Sequence, residues 1–395
     1  MTAAGAVPAE RAQAALRIDL AAIQNNWRLL RDRVAPADCA AVIKADAYGT
    51  GLEHVAAALA NAGCSSLFVA QIDEGLRARA ALASALPRAR LFVLNGLAGE
   101  EAHARACADA DLVPVIGCDE DAALWAGEAK RLGKPRQLAL MFDTGMNRLG
   151  FDRRRAGKIA AWLAGAPLLR PVLVASHFIA SQAPQDARNA LQIERFEELR
   201  RAFPGAPASL ANSSGVFLPQ QPFYDQVRPG YALYGGNPTP GAPNPMAAVV
   251  RLEAAILQVR EVEAGETVGY DGRWTARRTT RLATIGVGYA DGLPRSATGT
   301  DSEAGGEGFV AGERCPIVGR VSMDLTVIDV TDVAPGSLAP GARVELLGDH
   351  IGVDDLAARS GTIGYEILTN LGRRYARSYV SGTGAHDRAK GSARA

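Results

Sequence analysis

Ala41-Val-Ile-Lys-Ala-Asp-Ala-Tyr-Gly49 is the stretch on which the reading of this chain turns. Ala40, Ala41, Val42 and Ile43 form a short apolar run of the kind that builds a strand buried on both faces. The run stops at Lys44; Tyr48, Gly49 and Gly51 follow, and a helical pattern starts near Leu52. A strand that hands over to a helix is the opening half of a βα unit. A lysine at the mouth of such a strand is costly unless it is paired or serves as a neutral amine. It can also snorkel to the rim of the sheet. Desolvation lowers the pKa of an amine, and a neutral amine is what Schiff-base chemistry requires.

Outward from Lys44 the same alternation repeats, from about residue 17 to 235. After a leading helix, Leu20–Val34, strands are expected at Ala40–Lys44, Leu67–Ala70, Arg90–Leu94 and Leu112–Ile116. Four more are expected at Gln137–Phe142, Pro171–His177, Ala208–Ala211 and Gln226–Arg228. Helical patterns such as Leu52–Ala62, Glu100–Ala110, Asp119–Leu132 and Ala187–Ala202 separate most of them. This is an α/β pattern, and its strand count points to a TIM-like (β/α)8 barrel; a doubly wound open sheet is the competing architecture.

The texture changes at Asn237-Pro-Thr-Pro-Gly-Ala-Pro-Asn-Pro245, a connector too rich in proline for helix or inner strand. Beyond it Ala248–Val259, Thr280–Val287, Cys315–Val321, Leu325–Val330 and Val344–Leu347 have strand character, with a surface loop expected at Gly299–Gly308. The expected organisation is therefore an N-terminal segment, 1–16, packing on a β domain; a barrel, 17–245; a mainly β domain, 246–383; and a disordered tail, 384–395.

At 395 residues, 48% hydrophobic and 22% charged, the chain has the composition of a two-domain globular protein. A formal charge of +1 gives no electrostatic reason to expect nucleic acid or an anionic membrane as partner. No apolar run reaches the ~18 residues of a spanning helix, and Pro8, Glu10 and Arg11 interrupt the Ala-rich start. Five scattered cysteines form no C-x-x-C pair and the five histidines do not cluster, so neither a metal centre nor a disulfide framework is expected. The cytoplasm is the compartment these features suit.

Functional side chains of a barrel gather where strands end. Lys44, Asp143-Thr-Gly-Met-Asn-Arg-Leu-Gly150, His177, Asn212-Ser-Ser-Gly215 and Arg228-Pro-Gly-Tyr231 all fall at such ends. Singly, His177 could be a core histidine, Arg228 an ion-pair partner and Asn-Ser-Ser-Gly a turn. Together they define a pocket. The loops after strands seven and eight are where barrels commonly bind phosphate, and Lys44 shares their rim. Pyridoxal 5'-phosphate, with its reactive carbonyl and its phosphate, is the simplest cofactor to expect.

From about Arg17 to Arg377 the chain resembles the alanine racemase family. Val42-Ile-Lys-Ala-Asp-Ala-Tyr-Gly49, Asp143-Thr-Gly-Met-Asn-Arg-Leu-Gly150, Ser176-His-Phe178 and Val227-Arg-Pro-Gly-Tyr-Ala-Leu-Tyr-Gly235 are similar to its barrel motifs. Val268-Gly-Tyr-Asp-Gly272, Ile285-Gly-Val-Gly-Tyr-Ala-Asp-Gly292, Gly319-Arg-Val-Ser-Met-Asp324 and Thr362-Ile-Gly-Tyr-Glu366 are similar to its second-domain motifs, in the same order. The resemblance implies a pyridoxal phosphate-dependent racemase that interconverts L- and D-alanine, either to supply D-alanine for peptidoglycan precursors or to catabolise it. Lys44 would hold the cofactor as a Schiff base and act as one base, with Tyr270 as the second on the opposite face of Cα. His177 would hydrogen-bond Tyr270, and Arg228 would face the pyridine nitrogen. Arg148 would contact the cofactor's phenolic oxygen and the substrate carboxylate, with the N–H of Met323 on that carboxylate. Tyr48, Ser213, Gly230, Tyr231 and Tyr365 would bind the phosphate, with Asn212 beside them, while Tyr289 and Tyr365 narrow the pocket. Tyr270 would come from the partner subunit, implying a homodimer with shared active sites.

The chain departs from the family pattern in two places. Met141 stands where many relatives carry a lysine that props the arginine, so an anion or a neighbouring polar group is expected to support Arg148 instead. Ser181-Gln182 replaces an Ala-Asp pair. Two other functions share parts of the pattern. A non-catalytic pyridoxal phosphate carrier would lack the second domain and its tyrosine, and a decarboxylase would place an acid where Arg228 stands.

Overall fold

The computed structural model describes residues 7–381; the expected tail and the first six residues lie outside them. Two compact units are present: Gln24–Ala247, and a second made of the segment up to Ile23 with Ala248 onward.

In the first unit the apolar runs become parallel strands because both faces of the sheet are covered. Every residue of Ser66–Val69 and of Val113–Ile116 is buried. Neighbouring strands follow chain order: Ala41–Val42, Ser66–Val69, Arg90–Val93, Val113–Ile116, Arg136–Asp143, Leu169–Ala175 and Ala208–Ser209. Gln226–Val227 then pairs in parallel with Asp38–Cys39. Backbone bonds complete the ring on both sides of that last strand. Asp225 and Arg228 donate to the carbonyls of Ala208 and Ala211 at 3.1 and 2.9 Å, and Ala40 and Val42 donate to those of Val227 and Pro229 at 3.0 and 2.9 Å. A closed ring of parallel strands with intervening helices is the (β/α)8 barrel, and the open sheet is set aside. Helices Leu20–Val34, Leu52–Ala62 and Asp119–Leu132 carry the expected bounds. Segment 237–245 is neither helix nor strand.

The second unit is mainly β. Its sheet runs in the order Glu313–Pro316, Glu307–Val310, Arg343–Leu347, Val250–Val262, Ala14–Asp19, Ala376–Val380, and Val250–Val262 also pairs with Thr280–Ile285, which pairs with Thr326–Asp329. Ala14–Asp19 lies antiparallel to Val250–Val262, with Leu16 opposite Leu252, and parallel to Ala376–Val380. Two corrections to the sequence reading follow. Residues 317–321 leave the strand expected there, because Gly319 takes a φ of 72° and packs its backbone on Val268. The Gly299–Gly308 loop gives way at Glu307 to a strand whose register with Glu313–Pro316 supplies the ladder its own sequence does not advertise.

Candidate active site

Lys44 does not close the first strand, as its position in the run suggested. The strand stops at Val42, Ile43 still donates its N–H to the carbonyl of Phe68 at 2.8 Å, and then the chain reverses hand. Ala45, Asp46, Ala47 and Tyr48 all have φ of 53° or 54°, a left-handed turn closed by bonds from Ala47 to Ile43 (2.9 Å) and from Gly49 to Ala45 (2.8 Å). Left-handed residues with a Cβ cost roughly 1–2 kcal/mol each, so the surroundings must hold them. Glu74 accepts the N–H of Asp46 at 3.3 Å while its other oxygen accepts the N–H of Ala70 at 2.9 Å. Asp46 in turn accepts from Leu52 N–H (3.2 Å) and from Arg77 (2.6 Å). Glu74 and Arg77 lie on the helix Ile72–Ala81 and carry no motif that marks them in the sequence.

The turn presents Lys44 to the mouth of the barrel with its ammonium destabilised. Burial lowers its pKa, the positive charge of Arg148 lowers it further, and Glu74 opposes them. The imidazole of His177, two residues past the strand Leu169–Ala175, is pushed down to about 3 by burial and by the charges of Arg228, Arg148 and Lys44. These four residues therefore lie within electrostatic reach of one another. Among the described residues the Lys44 amine, the Arg148 guanidinium and the His177 ring have no hydrogen-bond or ion-pair partner.

Arg228 is fixed from below. It is 4% exposed, and its guanidinium donates to the Ser209 hydroxyl and the Ser176 carbonyl. Ser209 passes its own proton to the Gln226 carbonyl at 2.6 Å. Burial lowers the arginine to about 10, which leaves it charged at neutral pH. Ser176, Thr144 and Gln192 form a further buried support: the two hydroxyls are 2.7 Å apart, and Gln192 donates to Thr144 (3.0 Å) and to the His177 carbonyl (2.9 Å). Gln192 lies on a helix face with nothing in the sequence to distinguish it.

On the loops after the last two strands, Ser213 Oγ accepts the N–H groups of Gly230 (3.0 Å) and Ala232 (3.2 Å). With both lone-pair sides taken, its O–H is left to donate. Gly230 must be glycine: a Cβ there would stand 2.3 Å from the Tyr48 hydroxyl. Tyr48 stacks on Tyr234, centroids 4.6 Å apart, and Tyr231 is buried against Gly236. Asn212 is partly committed, since its side-chain oxygen accepts from Gly215 N–H and the Ser181 hydroxyl, each at 2.9 Å. Ser181, one of the departures from pattern, thus acts on this loop. At the other departure, no polar side chain among the described residues bonds to Arg148 in place of the missing lysine. Met141 lies in its strand, and Arg148 is exposed on the turn that Asp143 organises by accepting from Gly145 and Met146.

The β-rich unit carries its own cluster. Gly269 and Asp271, with φ of 75° and 63°, raise Tyr270 until 69% of it is exposed, and Asp271 pairs with Arg320 at 2.8 Å. Tyr289 donates its N–H to Ser322 O, and Ala290 to Met323 O, both at 3.0 Å. The turns that carry Tyr270 and Tyr289 therefore bond to the loop that carries Met323, and all three residues are exposed. The N–H of Met323 has no partner among the described residues. Tyr365 is the second residue of the helix Gly364–Thr369, its phenol pushed up to about 12 by burial and by Asp354. Among the described residues no group of acidic, histidine or cysteine side chains could hold a metal ion, and no helix is long and apolar enough to cross a membrane.

Residues 18–238 match the model of the alanine racemase N-terminal domain, and 249–379 that of its C-terminal domain. The alanine racemase of Methylobacterium sp. (strain 4-46) is 50% identical over 93% of this chain and 98% of its own length. The crystal structure of alanine racemase from Bartonella henselae with covalently bound pyridoxal phosphate is similar at a TM-score of 0.86 and 36% identity, covering 93% of this chain and 100% of that one. The biosynthetic alanine racemase of Pseudomonas aeruginosa is similar at 0.86 and 32%, covering 94% and 100%. Motifs, barrel and β-rich unit agree with these matches, and the chain belongs to the alanine racemase family.

Proposed function

We propose that this protein interconverts L- and D-alanine with pyridoxal phosphate as cofactor. The observation that carries the reading is Lys44, an amine of lowered pKa set on a left-handed turn among Arg148, His177 and Arg228. The residues fit the cofactor: Gly230 lets the Tyr48 hydroxyl come close to the loop that holds Ser213, and Ser213 has a hydroxyl proton to give an anion. Tyr48, Ser213, Gly230, Tyr231 and Tyr365 are assigned to its phosphate, with Asn212 beside them, and Lys44 to its carbonyl. When bound, pyridoxal phosphate supplies an imine-forming aldehyde and an electron-withdrawing ring that acidifies the substrate's Cα–H.

Racemisation removes a proton from one face of Cα and returns one to the other, so two bases on opposite faces are the simplest design. Lys44 Nζ serves one face. Tyr270 Oη, from the β-rich unit of a second copy of the chain, serves the other. Its exposure in a single chain supports donation across a homodimer interface. A phenol with pKa near ~10 needs help to act as a base at neutral pH. The neutral His177 can take its hydrogen bond, and the Arg228 charge behind favours the phenolate. Arg228, still protonated, would face the pyridine nitrogen as a donor and, holding its own proton, would leave that nitrogen unprotonated, which disfavours transamination. Arg148 and the N–H of Met323 bind the substrate carboxylate, and Tyr289 with Tyr365 leaves room for a methyl group.

The test is chiral chromatography of L-alanine incubated with cofactor-loaded protein, with Lys44→Ala as control. An approach to equal D and L that needs Lys44 is expected. Protein that binds the cofactor but forms no D-alanine would sink the proposal.

A further inference from the structure

Arg374 precedes the last strand, Ala376–Val380, and takes no part in the chemistry above. Its Nε and Nη2 donate to the two carboxylate oxygens of Asp291 at 2.7 and 2.8 Å, and Nη1 donates to Asp324 at 2.7 Å. Asp291 is 5% exposed and belongs to the turn Tyr289–Asp291; its Oδ2 also accepts the N–H of Gly288, at 3.0 Å. Asp324 follows Met323. One guanidinium therefore joins the turn that carries Tyr289 to the loop that carries Met323.

Their backbones leave no slack on the other side. A Cβ on Gly288 would stand 2.3 Å from Ser322 O, and the N–H groups of Tyr289 and Ala290 already reach across. A planar fork of donors can hold two carboxylates at a set angle, and a lysine ammonium cannot. The attachment of the last strand does not explain the second arm. Tyr375 donates to Asp291 O, and Arg377 to the carbonyls of Leu371 and Gly372, independently of Asp324. Asp324 is itself exposed, so its pairing adds little stability.

We infer that Arg374 is a positioning residue for substrate selectivity. It sets the spacing of Tyr289 and Met323, and hence the gap that admits a methyl side chain and resists larger ones. The inference rests on the proposed placing of Tyr289 and Met323 at the substrate.

The test compares wild type, Arg374→Lys and Asp324→Asn as purified holoenzymes. The last keeps the buried Asp291 pair and so carries the test if Arg374→Lys fails to fold. For both variants we expect KM for L-alanine to rise about fivefold with kcat within about twofold, and kcat/KM for L-serine relative to L-alanine to rise about threefold or more. Hydrogen–deuterium exchange should quicken in peptides spanning 286–292 and 320–325 alone. An unchanged serine-to-alanine ratio and KM in Asp324→Asn would overturn the inference, as would activity falling only in step with folded holoenzyme. A wild type that racemises no alanine would bring down the underlying reading, and this one with it.

Discussion

His177 shows how much a single residue's chemistry depends on its neighbours. As a lone histidine it could belong to any core, yet here three cations and burial hold its pKa at about 3, well below the ordinary ~6.5. Between those values the unfolded chain binds a proton that the folded chain refuses, so this group's contribution to stability is present above pH ~6.5 and is lost as pH falls toward ~3. NMR of 15N-histidine-labelled protein should therefore show a neutral His177 ring at pH 5, and His177→Gln should flatten the fall of the thermal midpoint between pH 6.5 and 5. A ring that titrates near 6.5 would contradict the electrostatic picture. Arg228 was legible as a candidate from its position at a strand end. Its props, Ser209 and the Ser176 carbonyl, were not, because a buried serine in a strand looks the same whether or not it holds a guanidinium.

At the scale of elements, the left-handed turn after Ile43 is the feature least visible beforehand. Ala-Asp-Ala-Tyr has ordinary helical and turn preferences, and nothing in it demands positive φ. What imposes the hand is the carboxylate of Glu74 on Asp46, with Asp46 bound to Leu52 and Arg77. This makes a test by sign. In a right-handed helix Ala→Gly costs about 1 kcal/mol. At Ala45, exposed with φ of 54°, the same change removes left-handed strain and should be neutral or stabilising by up to about 1 kcal/mol. Denaturant titration of Ala45→Gly beside an Ala→Gly control at exposed Ala161 would show the opposite signs. A loss of about 1 kcal/mol at Ala45 would mean the turn is right-handed in solution. The strands of the barrel, by contrast, were readable to within a residue or two, since a strand buried on both faces must be continuously apolar.

At the scale of the whole molecule, Tyr270 bears most directly on assembly. If each active site takes Lys44 from one chain and Tyr270 from another, then Lys44→Ala and Tyr270→Phe homodimers should each be nearly inactive. Co-refolding the two should restore activity, reaching about a quarter of wild type from an equal mixture if half the dimers are mixed and one of their two sites carries both bases. Mixtures no more active than their parents would argue against shared sites. The sequence alone determined an α/β region of eight strand candidates, the β-rich region after the proline connector and the candidate side chains at strand ends, because these follow from periodicity and from local motifs. Only the tertiary structure decided that the parallel strands close into a barrel, that Ala14–Asp19 lies between Val250–Val262 and Ala376–Val380, that Lys44 leaves the barrel on a left-handed turn, and that Arg374 ties Asp291 to Asp324. Each is a pairing between residues far apart in the chain, or a backbone hand imposed by such a pairing, and local pattern carries no record of what lies across the fold.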